Sequence, residues 1–137
     1  MITKKGGCIL INKIDKTIAI IYRPQYDDYS FPKGHLEGDE SVKEGAIRET
    51  IEETARDIEL IFEEPIYIER YTTPRGEDVE CYFYLAEDKG EYKGEIAEKD
   101  REICKWYKFD EIEDILSYDN PVEMWKEIKD KIAEELK

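Results

Sequence analysis

Residues 30–58, SFPKGHLEGDESVKEGAIRETIEETARDI, decide the fold and carry most of the chemistry. The first part is rich in turn formers, with Pro32, Gly34 and Gly38. The second part is a helix. Ser41 is placed to cap it, and Glu44, three positions later, completes a capping box. The pattern predicts a helix that ends near Thr54. At about 100° per residue, Glu49, Glu52 and Glu53 fall within an arc of about 100°. Ala46, Ile47, Thr50, Ile51 and Thr54 occupy a neighbouring arc suited to packing. Like charges on one helix face repel by a few tenths of a kcal/mol per exposed pair. Clustered carboxylates that leave room for water are what hard divalent cations such as Mg²⁺ and Mn²⁺ prefer. A glutamate-rich helix alone is most often a solvated face, so the loop ahead of it has to give the cluster its meaning.

Outward from this segment, the chain reads as strands. Upstream, Cys8, Ile9, Leu10 and Ile11 form one β-rich run and residues 17–22 a second, with a turn between at residues 13–16. Residues 24–38 read as loop. Downstream, residues 58–62, 65–71 and 80–86 are strand-like, and residues 87–101 read as a charged, exposed loop. Residues 102–109, with Trp106, form a further strand. A last helix is expected with Asn120 as N-cap and Pro121 in its first turn. Its apolar positions Val122, Trp125, Ile128, Ile132 and Leu136 recur at spacings of three and four, a stripe for core packing. Strands on both sides of a central helix, followed by a terminal helix, imply an α/β (α+β) sandwich around a mixed sheet, with residues 1–137 as one domain.

The chain has 137 residues, 40% of them apolar and 12% aromatic, enough for a core of its own. Its net charge is −14. Long-range repulsion from that charge disfavours nucleic acid or an anionic membrane as the main partner. It leaves open a small phosphate ligand held by local cations or by a metal. No run of about 18 apolar residues is present to span a bilayer. The start, MITKKGG, lacks the apolar region of a signal peptide. Cys8, Cys81 and Cys104 are odd in number and far apart, which fits reduced thiols in a cytoplasmic protein. His35, the one histidine, is too few for a histidine-based zinc site.

Gly34, Glu40, Arg48-Glu49 and Glu52-Glu53 together spell G-x5-E-x7-R-E-x2-E-E. This spacing resembles the box of the Nudix hydrolases, and the strand and helix order around it resembles that family's layout over nearly the whole chain. The resemblance implies a Nudix-type α/β/α sandwich and a metal-dependent enzyme, in which water attacks a phosphorus of a nucleoside diphosphate linked to another group. Carried over by position, Arg48, Glu49, Glu52 and Glu53 are the catalytic set. Glu49, Glu53 and then Glu52 are the ligands for Mg²⁺ or Mn²⁺. Arg48 would hold a carboxylate by a bidentate bond, Glu40 would support the site, and the backbone near Lys33 and Gly34 would complete the metal shell. A further base or ligand is expected from Glu98 or Glu102. The chain departs from the family where a glycine and an aliphatic residue usually follow the box, since Ala55 and Arg56 stand there.

Pro32-Lys33-Gly34-His35 is similar to the corresponding string of asymmetric diadenosine tetraphosphate hydrolases and of diphosphoinositol polyphosphate phosphohydrolases. Lys33 would then place a cation near the polyphosphate, with Gly34 beside it. Arg23, Arg70 and Arg75 are further phosphate candidates, while Tyr71, Tyr82 and Tyr84 offer stacking faces for a purine. The acidic chain disfavours an inositol polyphosphate. A dinucleoside polyphosphate ranks first as substrate, diadenosine tetraphosphate giving ATP and AMP. A nucleoside triphosphate or nucleotide-sugar pyrophosphatase follows, then an RNA 5′-pyrophosphohydrolase. A non-catalytic nucleotide sensor is the alternative from another class. Monomer and homodimer both stay open.

Overall fold

The computed structural model describes residues 1–96 and 102–137. Eight strands form one mixed sheet: β1 (Ile2–Asn12), β2 (Thr17–Arg23), β3 (Asp28–Ser30), β4 (Lys33–His35), β5 (Arg56–Leu60), β6 (Tyr67–Thr72), β7 (Asp78–Glu91) and β8 (Ile103–Lys108). The central path runs β3-β2-β1-β7-β5, with β4 on β1, β6 on β7 and β8 on β2. β1 and β7 are parallel, from Ile2 opposite Asp78 to Ile11 opposite Glu87. The other pairings are antiparallel.

Strand alternation distributes the apolar side chains to two faces. Ile9 and Ile11 of β1, with Phe83 and Leu85 of β7, pack under α3 (Asp119–Glu135) through Met124, Trp125, Ile128 and Ile132. Cys8, Leu10, Tyr84 and Ala86 turn to the opposite face, where Ala46 of α1 (Val42–Thr54) meets them. The result is the expected α/β/α sandwich. α1 sits very close to β1: a Cβ on Gly6 would lie 2.7 Å from the Val42 carbonyl oxygen and 2.8 Å from the Ala46 nitrogen.

The feature that builds the site is a fork in the sheet. β1 pairs with β2 at Ile11–Ile18 and Asn12–Thr17, but at Lys5, Gly6 and Gly7 its partner is β4. Between the two pairings, Cys8 N–H donates to the Pro32 carbonyl and Phe31 is buried against Phe83 and Trp125. β4 is thereby joined to β1 and packed beside α1, where Gly34 meets Glu49.

Several expectations need correction. The segment read as loop at residues 24–38 contains the two short strands β3 and β4, which borrow their partners from β2 and β1. β7 continues to Glu91 through charged residues because β5 pairs with it and Arg56 Nε donates to Asp88 Oδ1 at 2.9 Å. β5 itself starts two residues earlier than the apolar run suggests. The terminal helix is capped by Tyr118, not Asn120, with no side-chain cap bond. Asp119, Asn120 and Pro121 fill its first turn, where the missing proline N–H has no helical acceptor to lose. A 3₁₀ turn (Phe109–Glu111) and α2 (Ile112–Ile115) precede it and bury Ile112.

Candidate active site

The start of α1 is fixed as its sequence requires. Glu44 N–H donates to Ser41 Oγ at 3.1 Å, and Ser41 N–H donates to Glu44 Oε1 at 2.9 Å. One and two turns later, Arg48 gathers the acidic side chains. Its Nε and Nη2 grip Glu40 at 2.6 and 3.0 Å, a bidentate pair. Its Nη1 donates to Glu49 Oε2 at 3.1 Å and to Glu52 Oε1 at 2.8 Å, and Nη2 also reaches the His35 carbonyl at 2.9 Å. Hydrogen bonding from Arg48 holds the Glu40 carboxyl below its usual range. One guanidinium thus orders three box glutamates and ties α1 to the loop after β4.

Glu49 is buried and lies against the backbone of β4: a Cβ on Gly34 would sit 2.2 Å from its carboxyl carbon. Only glycine leaves that room. Glu53, one turn on, accepts from Lys33 N–H at 2.9 Å through Oε1. Burial, followed by the neighbouring Glu102 carboxyl, pushes Glu53 well above the ordinary carboxylate range. Glu102 Oε2 is buried without a hydrogen-bond partner among the described residues. Two carboxyls this close cannot both ionise cheaply, so the pair retains a proton.

Glu53 and Glu102 form one wall of a cavity of about 490 Å³ on the α3 side of the sheet. Lys33 and Arg23 also line it. Lys33 Nζ lies 3.7 Å from Glu69 Oε1 and 5.4 Å from the centre of the Tyr71 ring. Burial opposes the Lys33 charge, but Glu69 together with Cys81 and Tyr71 outweighs it and the ammonium is more basic than usual. Arg23 is held by a two-point pair with buried Asp28, at 2.8 and 2.5 Å, and Tyr118 O–H donates to the same carboxyl at 2.5 Å.

Not every expected residue joins this cavity. Tyr82 and Tyr84 sit on the opposite face of β7, against α1, and Tyr84 is buried there. Tyr71 does line the cavity. Arg70 pairs with Glu80 at 3.0 Å on the outer surface, and neither it nor Arg75 reaches the cavity. Glu98 lies outside the described residues. Sequence reasoning missed Lys5, Asp28, Glu69 and Tyr118. The signal for Glu69 was present: it shares strand parity with Tyr67 and Tyr71, so it had to face inward with them.

Among the described residues, no three acidic, histidine or cysteine groups already converge as a coordination cluster. Arg48 accounts for part of this, since it draws on Glu49 and Glu52. The donor chemistry nevertheless fits a hard divalent cation. Glu49, Glu52, Glu53 and Glu102 offer only oxygen, and the orphaned Glu102 Oε2 and the protonated Glu53 pair mark a place short of positive charge.

Comparison with known proteins places these features. Residues 2–132 match the model of the NUDIX domain family. A NUDIX hydrolase from Nitrosomonas europaea superposes with a TM-score of 0.76 at 16% identity, over 96% of this chain and 90% of that one. A C. elegans Ap4A hydrolase superposes with a TM-score of 0.73 at 18% identity, over 96% of this chain and 99% of that one. At such identities the likeness is one of fold. An 8-oxo-(d)GTP phosphatase from Mycolicibacterium smegmatis is 51% identical over 37 residues, which is 27% of this chain and 12% of that protein's length. No helix among the described residues is long and apolar enough to cross a membrane.

Proposed function

The chain belongs to the Nudix family, and from that premise we propose that residues 1–137 act as one pyrophosphohydrolase on a nucleoside polyphosphate, with a dinucleoside polyphosphate as the substrate. The observation that carries the reading is the adjacency of two unlike groups. The carboxyls of Glu53 and Glu102 share a cavity with the cations Lys33 and Arg23. Such a wall can accept both a cation and the phosphates that come with it.

A divalent cation, Mg²⁺ or Mn²⁺, held by Glu49, Glu52 and Glu53 would polarise the phosphoryl oxygens and lower the pKa of an attacking water. The chain's own residues do the rest. Arg48 keeps Glu49 and Glu52 in register. Lys33 and Arg23 balance the phosphate charge along the cavity. Glu102 Oε2, buried and unbonded, takes the proton as the water oxygen attacks phosphorus. The P–O anhydride bond breaks and the leaving phosphate carries away its electron pair. The free thiols of Cys8, Cys81 and Cys104 suit a reducing cytoplasm.

The test is a panel of diadenosine tetraphosphate, a nucleotide sugar, nucleoside triphosphates and 5′-triphosphorylated RNA, each with Mg²⁺ and with chelator. The expected result is metal-dependent cleavage of the dinucleotide into ATP and AMP. Two ADP, or equal rates in chelator, would overturn the reading. Tight binding without turnover would make the chain a nucleotide sensor. The 37-residue likeness to a triphosphate-acting enzyme favours one second reading, a nucleoside triphosphate pyrophosphatase, and faster release of pyrophosphate from triphosphates would promote it.

A further inference from the structure

Glu69 has no part in the chemistry above, yet it is the most unusual group in the cavity. It is 4% exposed and still belongs to the lining. Its ion pair with Lys33, at 3.7 Å, is longer than a hydrogen bond. Its charge is met by Lys33 and, more weakly, by Lys5. A buried carboxylate accepts through both oxygens, and leaving it without donors costs several times what one bond returns.

The neighbours of Glu69 are fixed. Lys33 and Lys5 lie 5.4 and 5.9 Å from the Tyr71 ring centre, and Lys5 Nζ donates to Tyr71 Oη at 3.2 Å. A ligand entering this corner therefore meets the two acceptor oxygens of one carboxylate, with the Lys33 and Lys5 ammonium groups beside them. The edge complementary to those two oxygens is a pair of adjacent donors. Among nucleobases it is the Watson–Crick edge of guanine: N1–H and N2–H. Adenine would turn its N1 lone pair toward the carboxylate, and hypoxanthine lacks the N2 donor. The cavity, at about 490 Å³, lies within the roughly 300–1,000 Å³ usual for small-molecule sites.

We infer that Glu69 is a specificity-determining residue whose two carboxylate oxygens accept hydrogen bonds from N1–H and N2–H of a guanine base. The inference rests on the reading above for the class of ligand, a nucleotide, and narrows its base. It makes the guanine-bearing dinucleotide the better substrate within the proposed class.

Binding separates this inference from catalysis. GMP, IMP and AMP are titrated calorimetrically into the full chain. Wild type should bind GMP about tenfold more tightly than IMP and about a hundredfold more tightly than AMP, the discrimination usual for a lost and then a reversed polar contact. In Glu69→Gln the amide can donate to adenine N1 and accept from its N6–H. GMP and AMP should then bind within about threefold of each other, AMP having gained. Equal binding of the three nucleotides to wild type, no binding of any, or an unchanged GMP preference in Glu69→Gln overturns the inference. Because the wild-type ranking needs no variant, misfolding of Glu69→Gln cannot hide the answer. A guanine preference without any hydrolysis would sink the enzymatic reading and leave this one standing.

Discussion

Replacing Glu53 by glutamine should stabilise the metal-free protein while nearly abolishing its activity. Glu53 is buried beside Glu102, and burial first, then that carboxyl, raises its pKa far above the unfolded value of about 4.3. The folded state therefore holds a proton that the unfolded chain has lost. Stability is greatest below the unfolded pKa and declines as pH rises toward the folded one. For one proton the slope is about 1.4 kcal/mol per pH unit. Glutamine keeps an acceptor for Lys33 N–H, now bonded at 2.9 Å, and can donate to the orphaned Glu102 Oε2. The slope should largely vanish and the variant should be the more stable protein at pH 8, by up to about 5 kcal/mol as that slope accumulates over the roughly 3.7 units above the unfolded pKa. Urea denaturation in chelator at pH 6, 7 and 8 measures this, with Mg²⁺-dependent turnover as the second readout. Turnover should fall on the order of 10³-fold as charge at the metal is lost. Parallel pH dependences for the two proteins would refute the shared-proton picture, and undiminished turnover would remove Glu53 from the catalytic set.

Ala55 ends α1 with φ 59° and ψ 29°, the left-handed region, so Ala55→Gly should raise stability by about 0.5–1 kcal/mol in the same denaturation assay with turnover unchanged. Lower stability would mean that the methyl group packs usefully. Arg48→Lys keeps the charge but loses the fork on Glu40, so kcat should drop at least about tenfold with KM nearly constant, because Arg48 does not line the cavity. A rise in KM alone would instead put Arg48 on the substrate. Lys33→Ala should impair hydrolysis of a four-phosphate dinucleotide more than that of a two-phosphate nucleotide sugar, and equal losses would reduce Lys33 to a partner for Glu69.

How far the sequence could be read depended on whether a feature was local. The capping box of Ser41 and Glu44, the arc of α1 and the stripe from Trp125 to Ile132 each follow from spacings of three and four residues, and each was legible. β3 and β4 were not, because three-residue strands have no period of their own and exist only where β2 and β1 offer edges. The same distinction separates the parts of the site. Gly34, Arg48 and the glutamates of α1 lie within one short segment, so their spacing announces them. Glu102 reaches Glu53 only because β8 pairs with β2, and Glu69 reaches Lys33 only because β6 and β1 flank β7. Tyr82 and Tyr84 mark the error that follows from composition without parity. Aromatic residues on the strand beside Glu80 looked suited to stacking, but their strand partners Gly6 and Cys8 face α1. The residues one step out of phase, Cys81 and Phe83, share the face of the cavity. Glu69 and Tyr71 of β6, whose parity opposite Cys81 and Val79 turns them inward, line the cavity instead. In this fold the box helix brings the carboxylates, and strand register decides which side chains are left to read the substrate.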